Sequence, residues 1–366
     1  MKRNEIWRSY GTDFKNMTIR LLEMTGLAER IPGPQAKIAI KPNLVTPAPA
    51  DFGGTTHTEV VAGIIEYLQG HGFRNIVIAE GSWVGDKTAE AFEYCGFRTL
   101  SENYGVPLID TQKEKSVPAD CAGMKLSICR CVQEWDFLIN VPVLKGHCQT
   151  HMTCALKNMK GLIPNSEKRR FHTIGLHKPI AHLNTGIRPD FIVIDHICGD
   201  PSFEEGGNPL VRNCVMAALD PVMTDAYACS LLGLETDDVP YVRMAERLGV
   251  GSADLSSLRL ITCEGDPAED VPMTQSLLDV SYAVDESDSC SACYGTLIPA
   301  LERLKEEGLL EKLPCPIAIG QGHRGKSGPL GVGNCTRGYD FSIPGCPPGE
   351  EKIYEMLKTY IEDNSL

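Results

Sequence analysis

A chain of 366 residues, 42% hydrophobic and 23% charged, suits one large α/β domain with a smaller appendage, because single cores stop growing near about 250–300 residues. A net charge of −13 without a long basic run argues against nucleic acid, and no stretch approaches the roughly 20 apolar residues needed to span a bilayer. The start, Met1 to Trp7, has positive charge but no apolar run behind it, so the cytoplasm is the expected compartment and the fifteen cysteines are expected mainly as thiols.

In chain order, residues 13–28 predict a helix with Asp13 as cap and Gly26 as stop, followed by a strand at 37–40 that ends at Lys41-Pro42-Asn43. Apolar residues at helical spacing predict a helix over 58–70, and 75–80 reads as a buried strand. A helix over 87–95 and strands at 106–110 and 137–141 continue the alternation. Between Leu144 and Asn184 periodicity weakens and polar residues dominate, with six of the nine histidines between His147 and His196. Regularity resumes with a strand at 191–195, a segment at 213–218, helices at 221–232 and 241–248, and a strand at 258–262. Alternating strands and helices predict an α/β fold, a mainly parallel sheet with helices on both faces, plus a small C-terminal cysteine-rich α/β lobe. The expected divisions are a core domain over 1–265, a linker rich in Asp, Glu and Pro over 266–286, and a cluster-binding lobe over 287–366.

Ligands collect beyond the carboxyl ends of strands in open parallel sheets. Lys41 and Asn43 follow one strand, Lys145 and His147 follow another, and Lys157 and Asn158 come soon after. Lysine binds an anion as a point charge or, when desolvated, serves as a base, and asparagine orients a carboxylate or carbonyl. Lys41, Asn43, Asn158 and His182 are therefore candidate substrate-binding residues for a small anion. Lys145, His147, Lys157, His172, His177 and Asp195 are candidate catalytic residues. His172, His177 and His182 are spaced by five, which gives no shared helical face, so they can converge only through irregular backbone.

Cys290 and Cys293 form a C-x-x-C pair, Cys335 follows a glycine-rich stretch, and Cys346 stands among Pro344, Gly345, Pro347 and Pro348. Four thiolates suit a [4Fe–4S] cluster; structural zinc is the alternative, and a set without metal is the third reading. Cys315 reads instead as the start of a strand at 317–320. The string from Pro344 to Pro348 resembles a cluster-ligand segment in the small subunits of nickel–iron hydrogenases and in the matching subunit of respiratory complex I.

Lys41-Pro42-Asn43-Leu44-Val45, Leu144 to His147, Ala155 to Gly161, Arg188 to Asp195, and Asp220 to Ala226 together resemble the domain-of-unknown-function 362 family over most of residues 35–250. The resemblance implies an α/β domain and, in long members, an attached iron–sulfur module, but no reaction. Two compact ferredoxin runs found in many members are absent here, which argues against a two-cluster relay. The expected function is a redox enzyme that passes single electrons through one cluster to or from a small anionic substrate, with an electron-transfer protein as partner. A non-redox isomerase or lyase using histidine acid–base chemistry, and a cofactor- or cluster-carrying protein, are the alternatives.

Overall fold

Short continuous apolar runs build the centre of the larger sheet, as strands covered on both faces require. The computed structural model describes residues 1–266, 280–287, 289 and 291–364. Two compact units result, Met1–Phe171 with Leu176–Thr274, and His172–Gly175 with Gln275–Leu366. In order, the first contains β1 (Glu5–Tyr10), α1 (Phe14–Thr25), β2 (Ile38–Lys41), α2 (Thr58–Gly70), β3 (Ile76–Glu80), α3 (Thr88–Tyr94), α4 (Phe97–Tyr104) and β4 (Leu108–Asp110). A hairpin of β5 (Ser116–Cys121) and β6 (Met124–Cys129) precedes β7 (Phe137–Asn140), the pair β8 (Lys145–His147) and β9 (His151–Thr153), and helices α5 (Ala155–Asn158), α6 (Asn165–Ile174) and α7 (His177–Gly186). Then come β10 (Phe191–Gly199), β11 (Leu210–Ala218), α8 (Pro221–Leu231), α9 (Pro240–Arg247) and β12 (Arg259–Glu264).

Eight of these strands form one sheet in the order β12-β1-β11-β10-β7-β2-β3-β4. Every pairing is parallel except those of β11 with β1 and β10. Alternation along β2 sends Ile38 and Ile40 into one apolar layer with Val60, Ile64 and Leu68 of α2, and Ala39 into the opposite layer. Each fully buried isoleucine contributes about 1.5–3 kcal/mol. The predicted helix stops hold: Asp13 accepts from Asn16 N, and Gly26 takes the left-handed φ of 67° that ends α1. At α8, Asp220 accepts from Val222 N and Met223 N, and Pro221 occupies the first turn.

Three features depart from the sequence reading. β1, α4 and the β5–β6 hairpin lie outside the predicted elements, each element being only six to eight residues long. The stretch from Leu144 to Asn184, expected to be irregular, is a two-stranded pair followed by three short helices. Its elements bury polar as well as apolar side chains, which hides the helical period. Val284–Glu286, within the segment read as a linker, pairs in parallel with Ile317–Ile319, and its acidic residues are exposed on an edge strand.

In the second unit β13 (Val284–Glu286), α10 (Ser291–Glu306), β14 (Ile317–Ile319), β15 (Leu330–Val332), β16 (Phe341–Ile343) and α11 (Glu350–Asn364) follow in order. The strands form a fully parallel sheet, β13-β14-β15-β16. No helix among the described residues is long and apolar enough to cross a membrane.

Candidate functional site

Lys41 ends β2 wholly buried, and its Nζ donates to Glu80 Oε2 at 2.7 Å, Pro42 O at 2.7 Å and Asn158 Oδ1 at 3.2 Å. Glu80 ends the neighbouring β3 and also accepts from Leu44 N at 3.0 Å and Gly81 N at 2.6 Å. Asn158 in turn donates to Asn140 Oδ1 at 2.7 Å, so the ends of β2, β3 and β7 are tied to α5. Gly161 is required there: a Cβ at that position would lie 2.6 Å from Lys41 Nζ. Burial pulls Lys41 down and Glu80 opposes that pull.

A second set surrounds Glu204, in the loop between β10 and β11. Lys145 Nζ donates to Glu204 O at 2.6 Å, Asn43 Oδ1 at 3.3 Å and Gly54 O. Burial pulls Lys145 down to about 7, yet three oxygen acceptors need three N–H donors, which only the charged ammonium has. His147 Nε2 and Lys157 Nζ each stand 2.9 Å from Glu204 Oε2. His147 Nδ1 accepts from Gln149 N at 3.0 Å and Thr150 N at 3.1 Å, so the ring is neutral with its proton on Nε2. Burial pushes His147 down to about 4. Burial raises Glu204, but His147 and Lys157 outweigh it and hold the carboxyl well below its usual range.

Hydrogen-bond capacity separates the four lysines of this region. Lys41 and Lys145 each spend all three N–H donors on protein oxygens, so neither has one left for a ligand. Lys157 spends two, on Glu204 and on Thr153 Oγ1 at 3.1 Å. Lys160, three residues on, is partly exposed and has no hydrogen bond or ion pair among the described residues; burial and Lys157 bring it down to about 7. Uncommitted N–H groups therefore lie at Lys157 and Lys160, not at Lys41 or Lys145.

The remaining expected residues separate. Asp195 pairs with His57, whose Nδ1 is 2.9 Å from Asp195 Oδ2, and not with His172, His177 or His182. His182 Nδ1 meets Cys121 O at 2.8 Å, so this side chain holds the β5–β6 hairpin. His177 stacks on Tyr241 with ring centroids 5.9 Å apart, while His172 is grouped with the second unit. Asp225 accepts from Ala155 N at 2.7 Å and Leu156 N at 3.1 Å and anchors the start of α5; burial pushes it up to about 7. Glu80, Glu204, His57 and Lys160 escaped sequence reasoning. A charged residue ending an apolar strand, as Lys41 does, is the signal that marks Glu80; Glu204 lies in a polar loop with no such signal.

In the second unit, the segments bearing Cys293, Cys335 and Cys346 all follow strands of the parallel sheet and so share its carboxyl edge. Cys290 lies outside the described residues. Asn334 N donates to Gly345 O at 2.8 Å and Gly345 N to Asn334 Oδ1 at 3.2 Å, stitching the Cys335 and Cys346 turns together. Gly333 lies between them, and a Cβ there would come within 3.6 Å of Cys293 Sγ and 3.9 Å of Gly345 O. Arg324 Nε donates to Cys335 Sγ at 3.4 Å. Cys315 precedes β14 and so sits at the amino edge of the sheet. Among the described residues no three His, Cys, Asp or Glu side chains stand close enough to hold a single metal ion.

The family described as Domain of unknown function (DUF362) matches residues 38–230. Thylakoid-associated protein sll1697 of Synechocystis is 24% identical over 237 residues, which cover 63% of this chain and 73% of that protein. The lactate racemase apoprotein from Thermoanaerobacterium thermosaccharolyticum superposes with a TM-score of 0.42 and 14% identity over 63% of this chain; the match spans 57% of that structure.

Proposed function

The chain belongs to the DUF362 family, defined without a reaction, and from that premise we propose an iron–sulfur redox enzyme that binds a small anion through Lys157 and Lys160. The observation that carries the cluster is the meeting of the Cys293, Cys335 and Cys346 segments around Gly333 at one sheet edge. Thiolates are the donors a [4Fe–4S] cluster takes, the glycine leaves room beside Cys293 Sγ, and Cys290 supplies the fourth thiol. When bound, the cluster supplies one-electron transfer. Lys157 and Lys160 hold the anion with their uncommitted N–H groups, while Glu204 fixes Lys157 and His147 keeps Glu204 in place. His147 is spent as a neutral donor to Glu204, which disfavours a reading with that ring as the acid or base.

Anaerobically prepared protein should contain about four iron and about four sulfide per chain. Serine at Cys290, Cys293, Cys335 or Cys346 should lose or convert the cluster, and Cys315→Ser should keep it. Stoichiometric zinc without sulfide, or equal loss from Cys315→Ser, overturns the reading. For the anion, Lys160→Ala should weaken sulfate or acetate binding in calorimetry about tenfold or more, since a charged hydrogen bond contributes about 1.5–3 kcal/mol. Unchanged affinity would remove Lys160 from the site.

A further inference from the structure

On a regular strand, residues three apart face opposite sides, but the pairing of β10 shifts register between His196 and Cys198. That irregularity turns Cys198 to the side of Asp195, and His57, at the N-cap of α2, meets both. Its Nδ1 is 2.9 Å from Asp195 Oδ2, and its Nε2 is 3.9 Å from Cys198 Sγ. Asp195 also accepts the His57 backbone N–H at 2.7 Å, so the carboxylate fixes the ring's place as well as its proton. With Nδ1 engaged, Nε2 is the ring atom that faces the sulfur.

The other groups around the ring are few. Asp51 Oδ1 approaches Nε2 at 3.5 Å from an exposed position, Phe14 packs with a centroid distance of 5.9 Å, and the Cys198 thiol donates to Ala50 O at 3.5 Å. The titratable groups facing His57 are thus Asp195, Asp51 and Cys198. Burial pulls His57 down, but Asp195 outweighs it and pushes the ring up to about 11, so the proton stays on the imidazole beside the sulfur at neutral pH.

We propose that Cys198, His57 and Asp195 form a second chemical site, independent of the cluster and of the lysine anion site, in which Cys198 is a nucleophilic thiol for small hydroperoxides. The size limit follows from burial. Cys198 is 4% exposed and His57 5%, beneath the single turn Ala50–Phe52, which closes the site to a peptide or acyl chain. The Cys198 thiol loses its S–H proton to water as it attacks, and His57 Nε2 faces the same sulfur with the proton that the departing oxygen needs. Sulfur attacks the terminal peroxide oxygen, the S–O bond forms as the O–O bond breaks, and the departing oxygen takes the Nε2 proton. Cysteine is oxidised to the sulfenic acid and the hydroperoxide is reduced to an alcohol or water, so thiol and hydroperoxide account for every atom. His57 is the proton donor and Asp195 a positioning residue.

The test is the order in which cysteines of the full chain react. Iodoacetamide, and separately hydrogen peroxide with dimedone trapping, is applied to the folded protein and each cysteine is followed by peptide mass spectrometry. Cys95 and Cys263 are more exposed than Cys198, so access puts them first, while burial raises both thiols and slows them; the His57→Gln comparison isolates the effect of the site from that of access. The site requires the reverse: Cys198 reacting about tenfold faster than either, and about tenfold slower in His57→Gln, since thiolate character governs rate. Cys198 reacting last, or only as the chain unfolds, overturns the proposal, as does an unchanged rate in His57→Gln. Should that variant fail to fold, the order in the unsubstituted chain decides alone.

Discussion

Lys41→Met is expected to lower the unfolding free energy of the first unit by about 3–5 kcal/mol, because it strands the Glu80 carboxylate without its cation in the interior. The side chains of Lys41 and Glu80 are 1% and 3% exposed, so water cannot replace the lost partner. Two backbone donors, Leu44 N and Gly81 N, remain on Glu80 and keep the loss from being larger. The double variant Lys41→Met/Glu80→Gln removes both charges and should recover at least half of the loss, the coupling that contacting residues show. Urea unfolding of the two variants measures it. A loss below about 1 kcal/mol for Lys41→Met would place the pair in the range of solvated surface ion pairs and contradict its burial.

Acid should destabilise the first unit through His147 as pH falls below the ordinary histidine range. The ring has a folded value of about 4, below its ordinary 6.5, because it is buried and because Nδ1 already accepts from two amides. Between those values the unfolded chain binds the proton and the folded chain does not. Stability is therefore complete above the unfolded value and falls as pH drops from about 6.5 towards about 4, by about 3 kcal/mol for this group. Glu204 is held well below the usual carboxylate range, so its contribution is lost in a more acidic window. His147→Gln cannot titrate and should flatten the dependence of unfolding free energy on pH from 6.5 to 4. An unchanged slope would show that the ring is already protonated in the folded state, which its two amide contacts oppose.

Much of the framework is legible in the order of residues. Asp13 with Gly26 and Asp220 with Pro221 mark helix ends by local chemistry, and apolar runs mark β2, β3, β7 and the first half of β10 because the body of a strand covered on both faces is apolar. Lys41, Asn43, Lys145 and Lys157 are legible as neighbours, since parallel strands bring the residues after them to one edge. Their partners are not. Glu80 is 39 positions from Lys41, Glu204 is 47 from Lys157, and His57 is 138 from Asp195. No periodicity links residues so far apart; what joins them is the strand order β10-β7-β2-β3, which runs against the order of the chain. The same holds for function within the lysine set. Residue type and position near strand ends make Lys41, Lys145 and Lys157 equivalent, and only the packed oxygens around each Nζ decide that Lys41 and Lys145 are saturated while Lys157 keeps an N–H group to offer.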